Sequence, residues 1–232
     1  MKRFALAAAL SVALAGCSSG TSSTGQATVW VTRDRGANVL HVGKVPAGLT
    51  ALQGLDRVAK IETRYGGRYV RAVDGVTEHG RRSWFYYVNG YLADQGSAEY
   101  RLRDGDVEWW DYRSWRDPLD DGVVVGAFPE PFLHGYAGKR RPVAVLYAGP
   151  RLRRGAQALA RLLHARVLGP IDSVPPKNAS LLVLTRDRPV RFAQEGQATT
   201  PRPGGPVLFV FTGDPLELAR HPRMFRFRYS VP

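Results

Sequence analysis

SWFYYVNGYLADQGSAEYRLRDGDVEWWDY, residues 83–112, decides the fold of this chain. Residues 84–88 are a run of aromatic and β-branched side chains, which suits a pleated, half-buried surface. Asn89-Gly90 follows. A type I′ hairpin turn needs positive φ at both central positions, and this pair supplies it. Tyr91 and Leu92 begin a return strand. Tyr100 and Leu102 then alternate with Arg101 and Arg103, Asp104-Gly105-Asp106 turns the chain, and residues 107–112 leave as a second aromatic strand. The stretch predicts a hairpin, a loop and a second hairpin.

Upstream, residues 27–32 read as a strand, with Val29 and Val31 alternating against Trp30, and residues 39–42 as another. Residues 47–59 read as the one helix of this half. Thr50 and Gln53 fit a capping box, and Leu52, Leu55 and Ala59 give the stripe that lies on the sheet. Gly54 inside it costs about 1 kcal/mol relative to alanine. Residues 61–65 and 68–73 read as strands about Gly66-Gly67. A sheet curled over a single helix, a β-grasp-like α+β fold, follows from this order.

The residues Trp84, Tyr86, Val88, Asn89, Gly90, Gly96, Tyr100, Leu102, Asp104, Gly105, Asp106 and Trp110 together resemble the DUF4430 family. That family is similar to the C-terminal β-domain of transcobalamin and intrinsic factor. The resemblance covers residues 27–115. It implies a small β-grasp module, and it gives some weight to a corrinoid as ligand.

The amino end reads as a targeting segment. Lys2 and Arg3 precede a short apolar run at 4–15, too short to span a bilayer. Leu14-Ala15-Gly16-Cys17 resembles the lipobox of bacterial lipoproteins, which implies cleavage before Cys17 and lipid on its sulfur. Cys17 is the only cysteine. Residues 1–16 are thus expected as a signal peptide and 17–26, rich in Ser, Thr and Gly, as a flexible tether. Two or three acyl chains would hold such a protein stably on the outer side of the cytoplasmic membrane.

Residues 116–140 carry Asp117-Pro118, Asp120-Asp121-Gly122, Pro129 and Pro131, and read as a connector in which 123–128 forms one extra strand. Residues 141–232 read as a small α/β region: strands at 143–147, 180–185 and 207–212, an amphipathic helix at 152–167, a short helix at 215–220, and a final strand at 224–231. In that last segment Phe225, Phe227 and Tyr229 alternate with Arg226 and Arg228. No known family is matched there.

Several chemistries find no support in the residues. His41, His79, His134, His164 and His221 show no metal-ligand spacing, no nucleophile elbow occurs, and Asp104-Gly105-Asp106 lacks the pattern of a calcium loop. Residues 148–155, AGPRLRRG, follow a strand and open a helix, but match no phosphate-loop motif. No enzyme, metal or cofactor is expected. The expected role is binding of a small organic ligand, a corrinoid by resemblance, held for an uptake transporter. Trp84, Tyr86, Tyr91, Trp109 and Trp110 would hold it by stacking, unless both faces of the aromatic sheet are core. The net charge of +13 raises a competing role, binding envelope polyanion or extracellular DNA. The arginines are spread along the chain rather than massed, which makes nucleic acid the weaker choice.

Overall fold

Alternation along the first strand sets the frame. In β1 (Gln26–Arg33), Val29 and Val31 face one side and Trp30 and Thr32 the other, and all four are buried. Something must therefore cover each face. A computed structural model describes residues 25–115, 122–186, 189–195 and 202–232. The lipobox, Cys17, the tether before Gly25, Asp117-Pro118 and Asp120-Asp121 lie outside the described residues.

β2 (Asn38–Pro46) returns antiparallel to β1. The capping box forms: Thr50 Oγ1 accepts from the Gln53 amide at 3.2 Å, and Gln53 Oε1 accepts from the Thr50 amide at 2.9 Å. The helix it opens, α1 (Ala51–Asp56), is shorter than the sequence predicts. None of residues 56–60 is buried, so further turns would gain no packing, and packing supplies most of a short helix's stability. Gly54 is where α1 touches the sheet. A Cβ there would lie 2.7 Å from both Glu108 Oε2 and Leu102 Cδ1.

β3 (Ile61–Arg64), β4 (Tyr69–Val73) and β5 (Val76–Thr77) form a small antiparallel sheet. β6 (Arg82–Val88) and β7 (Tyr91–Leu92) pair around Asn89 and Gly90, whose φ values of 50° and 85° are those of the expected turn. β8 (Val107–Ser114) does not pair back onto residues 100–102, as a second hairpin would require. It takes the central slot, antiparallel to β6 and parallel to β1, in the order β2-β1-β8-β6-β7. Tyr100 and Leu102 bond instead to the helix entrance, where the Ala51 amide donates to Tyr100 O and the Leu102 amide to Leu49 O, each at 2.9 Å. The α+β sheet-over-helix arrangement stands, with the parallel β1–β8 pair at its centre.

Residues 122–132 are not a surface connector. All are buried, and 123–128 forms no strand but a 3-10 turn at Val125–Ala127. Phe128 and Phe132, the latter in α2 (Glu130–Leu133), pack on Phe192 and Phe209 with ring centroids 5.4 and 5.3 Å apart. This wedge joins both halves into one apolar cluster.

The second half is a sheet of order β10-β9-β11-β13-β12. Its strands are β9 (Val143–Tyr147), β10 (Val167–Pro170), β11 (Ser180–Thr185), β12 (Arg191–Gln194) and β13 (Leu208–Thr212). β12 alone is antiparallel. α3 (Arg153–Leu162) ends short of the expected 152–167 and crosses from β9 to β10, a strand the sequence reading did not place, before the chain returns to β11; α4 (Pro215–Arg220) packs against α3. Among the described residues, no helix is long and apolar enough to cross a membrane.

The expected strand at 224–231 is instead a run of turns that makes one bridge, Phe192 to Val231. Its alternation serves two cores at once. Phe225 turns to Phe192, 5.6 Å away, while Phe227 and Tyr229 lie on Trp30 and Trp109 at 5.0 and 5.3 Å. Phe227 reaches this position with φ of 66°. Gly36 lets the strap pass, since a Cβ there would sit 1.8 Å from Phe227 O. Buried Glu130 fastens the strap, accepting from Arg223 Nη2 at 2.9 Å while His134 Nδ1 lies 2.8 Å from its other oxygen. That carboxylate holds the His134 imidazole above its usual pKa.

Candidate functional site

The residues that make the 83–112 stretch recognisable are first of all staples. Asn89 Oδ1 accepts from the Val107 amide at 2.8 Å, and Asn89 Nδ2 donates to Asp106 Oδ1 at 2.7 Å and to Gly135 O at 3.0 Å. Asp106 also accepts from the Arg103 amide at 2.8 Å. Burial nevertheless raises its carboxyl pKa. Asp104 Oδ1 accepts from the Gln26 amide at 2.8 Å. These bonds fix β8 against β1 and β6, so the motif encodes the fold.

Asp111, on the outer face, is likewise internal. It accepts from Thr32 Oγ1 at 2.6 Å, Tyr229 Oη at 2.9 Å, the Arg35 amide at 3.0 Å and the Gly36 amide at 3.1 Å. Glu108, on the helix face, is buried with far fewer partners. Trp110 Nε1 donates to its Oε1 at 2.5 Å, and Oε2 has no hydrogen bond. Burial pushes this carboxyl well above the usual carboxylate range, and the indole bond opposes it only in part.

The five aromatic residues singled out from the sequence do not form one exposed platform. Trp109 is fully buried and its Nε1 donates to Thr32 Oγ1 at 2.8 Å. Tyr91 is fully buried, with its hydroxyl donating to Gly205 O at 3.0 Å. Trp110 is buried against Tyr86, the rings stacked 4.9 Å apart, and the Tyr86 hydroxyl donates to Gln95 O. Each ring is committed because both faces of the sheet are covered, one by α1 and the other by the 223–229 strap. Trp84, the fifth, differs: its indole donates to Val76 O at 2.9 Å, and one side of the ring walls a cavity.

That cavity, of about 400 Å³, opens where β7 stops after two residues and leaves residues 83–85 of β6 without a paired strand on that side. Tyr69, Ser83, Trp84, Phe85, Arg113 and Trp115 line it. The Tyr69 hydroxyl is held by Glu78 at 2.7 Å and lies 2.8 Å from Ser83 Oγ. Its burial raises the phenol pKa. The Arg113 guanidinium lies over the Phe85 ring at 4.1 Å. Trp115 is 62% exposed at the rim, whereas each of the other four tryptophans is at most 6% exposed. A polar recess on its far side holds Arg64, Arg71 and Arg82, which pair with Glu78, Glu62 and Asp34. The arginines of that recess are therefore charge-compensated, and Arg113 is the one charged side chain among the described residues lining the cavity itself. Tyr69 lies outside the aromatic run, and Trp115, a member of that run in the sequence, is not among the five residues expected to hold the ligand. An aromatic residue just beyond a strand end is the sequence signal that could have found Trp115. Among the described residues, no three His, Cys, Asp or Glu side chains gather as metal ligands.

Residues 48–114 match the model of DUF4430, a domain of unknown function. A candidate metal-binding protein from Ruminococcus gnavus ATCC 29149 is similar in structure over 39% of this chain and 97% of its own, with 17% identity and a TM-score of 0.32. Haptocorrin in complex with Cbi is similar over 40% of this chain and 26% of its own, with 16% identity and a TM-score of 0.33. No curated protein matches the chain.

Proposed function

We propose that the protein is a non-enzymatic binder of a small, planar, largely uncharged organic molecule, seated in the cavity beside β6 and anchored outside the cytoplasmic membrane through lipid on Cys17. The observation that carries the binding site is Trp115, an indole left exposed over an apolar hollow. Small-molecule pockets are apolar clefts of about 300–1,000 Å³ with a few placed polar groups. This one supplies Tyr69 and Ser83 hydroxyls among four aromatic rings. A corrinoid is the ligand that the family resemblance implies. A corrin ring with its amide arms exceeds this hollow, so only an edge of it would enter.

The test is a tryptophan-fluorescence titration of the chain with lumichrome, a neutral fused-ring probe, and separately with cobinamide, at low and moderate salt. The expected result is saturable quenching that salt barely changes. Trp115→Ala should weaken binding about 5- to 150-fold, since aromatic stacking is worth about 1–3 kcal/mol. Its melting temperature should hold, because the lost ring is largely in solvent. Unchanged affinity in the variant would remove the cavity from the site. A steeply salt-dependent response to DNA, with none to either probe, would favour the polyanion role. The anchor is checked apart from this: labelled fatty acid should enter the wild-type chain in cells and fail to enter Cys17→Ser. Equal labelling would overturn that half of the proposal.

A further inference from the structure

The parallel sheet of the second half has an opening of its own. β9, β11 and β13 run side by side in one direction and end at Tyr147, Thr185 and Thr212. From β9 the chain crosses to β10 on one side and then returns to β11 on the other, so the strand order reverses between β9 and β11. Connections that part in opposite directions leave a crevice outside the carboxyl ends of the strands, the place where open α/β sheets take their ligands. A cavity of about 740 Å³ occupies this place. Arg151 and Leu152 line it after β9, Arg186 and Val190 after β11, and Gly213 and Asp214 after β13.

The charge there is unlike that of the recess beside Trp115. The arginines of that recess are paired with carboxylates. Among the described residues, the Arg151 and Arg186 side chains have neither an ion-pair nor a hydrogen-bond partner. The one described carboxylate at the rim, Asp214, is already used: its Oδ1 accepts from the Leu216 amide at 2.8 Å as the cap of α4. Two uncommitted guanidiniums line one crevice, and planar N–H donors of this kind meet the oxygens of a phosphoryl group two at a time. The volume is more than a bare phosphate fills, and Leu152 and Val190 give the remainder an apolar wall.

We propose that this crevice binds an organic phosphate, with its phosphoryl group between Arg151 and Arg186 and its organic part along Leu152 and Val190. The site is separate from the aromatic cavity. Its ligand is either a soluble phosphate ester or a phospholipid headgroup, which share this chemistry.

Calorimetric titration of the whole chain with inorganic phosphate, phenyl phosphate and phenol tests the chemistry. Vesicles of phosphatidylglycerol in phosphatidylcholine test the lipid source. Saturable binding of phenyl phosphate is expected, with phenol at least about tenfold weaker and affinity falling as salt rises. Arg151→Ala/Arg186→Ala should weaken phenyl phosphate at least about tenfold, because charge-assisted hydrogen bonds are the strong ones. Both side chains are exposed, so the variant should melt with the wild type. Trp115→Ala should leave phenyl phosphate binding intact. Vesicle binding that phenyl phosphate competes away identifies the headgroup as a ligand of the same site. No saturable response to either phosphate overturns the proposal, as does equal binding of phenol. Vesicle binding without any phenyl phosphate response also overturns it, because the arginines then make only a diffuse membrane contact. Loss of phenyl phosphate binding in Trp115→Ala moves the phosphate to the other cavity and overturns the assignment.

Discussion

Trp109→Ala should lower the free energy of unfolding by about 3–5 kcal/mol, the range for truncating a buried Phe or Trp. The upper part of the range applies, because the ring anchors a separate core. Trp30, Phe227 and Tyr229 meet it edge-on at 5.8, 6.2 and 5.3 Å, and its Nε1 is the donor that Thr32 Oγ1 receives. The strap should loosen at the same time, so trypsin should cut at Arg226 and Arg228 faster in the variant. Urea unfolding with the slope monitored reads the first effect. A loss below about 0.5 kcal/mol, within the range of an ordinary surface change, would show that the outer face is not a core.

Glu108→Gln should act in the opposite direction at neutral pH. Because burial raises the folded-state pKa of Glu108, the folded chain holds a proton that the unfolded chain releases above about pH 4.3. Stability from this group is then greatest in acid and falls as pH climbs from the unfolded value toward the folded one. Glutamine keeps the acceptor for Trp110 Nε1 and cannot ionise. The variant should be more stable than wild type at pH 7 by roughly 1–3 kcal/mol, because each pH unit by which the folded pKa exceeds the unfolded one costs the wild type about 1.4 kcal/mol once the unfolded chain has ionised. The two should converge near pH 4. Asp106 is raised in the same way, whereas Asp34 and Asp74 are lowered by Arg82 and by His41 respectively, so only the difference between wild type and variant isolates Glu108. Parallel pH curves for the two would sink the assignment.

Local features were legible in the sequence, and long-range partners were not. The Asn89-Gly90 turn and the Thr50–Gln53 box each rest on neighbours a few residues apart, and each formed. The partner of β8 lies 79 residues back in β1, a pairing no local pattern specifies. Period-two alternation at 224–231 correctly marked which side chains are apolar but said nothing of backbone hydrogen bonds. A chain of turns satisfied the same alternation. The density of aromatics at 84–112 was plain, yet exposure was not. Tyr229 reaches Asp111 across 118 residues to cover that face. The cavity itself comes from the two-residue length of β7, which composition does not encode.

The strap at 223–229 also gives the molecule a sense of its own completeness. A ribosome makes the sheet of residues 26–114 long before Phe227 and Tyr229. Until those two rings arrive, Trp30, Tyr87 and Trp109 form a bare aromatic surface, the kind of patch that chaperones and proteases recognise. A chain that stops short of the strap keeps that patch open, so Phe227 and Tyr229 are what close the outer face of the sheet.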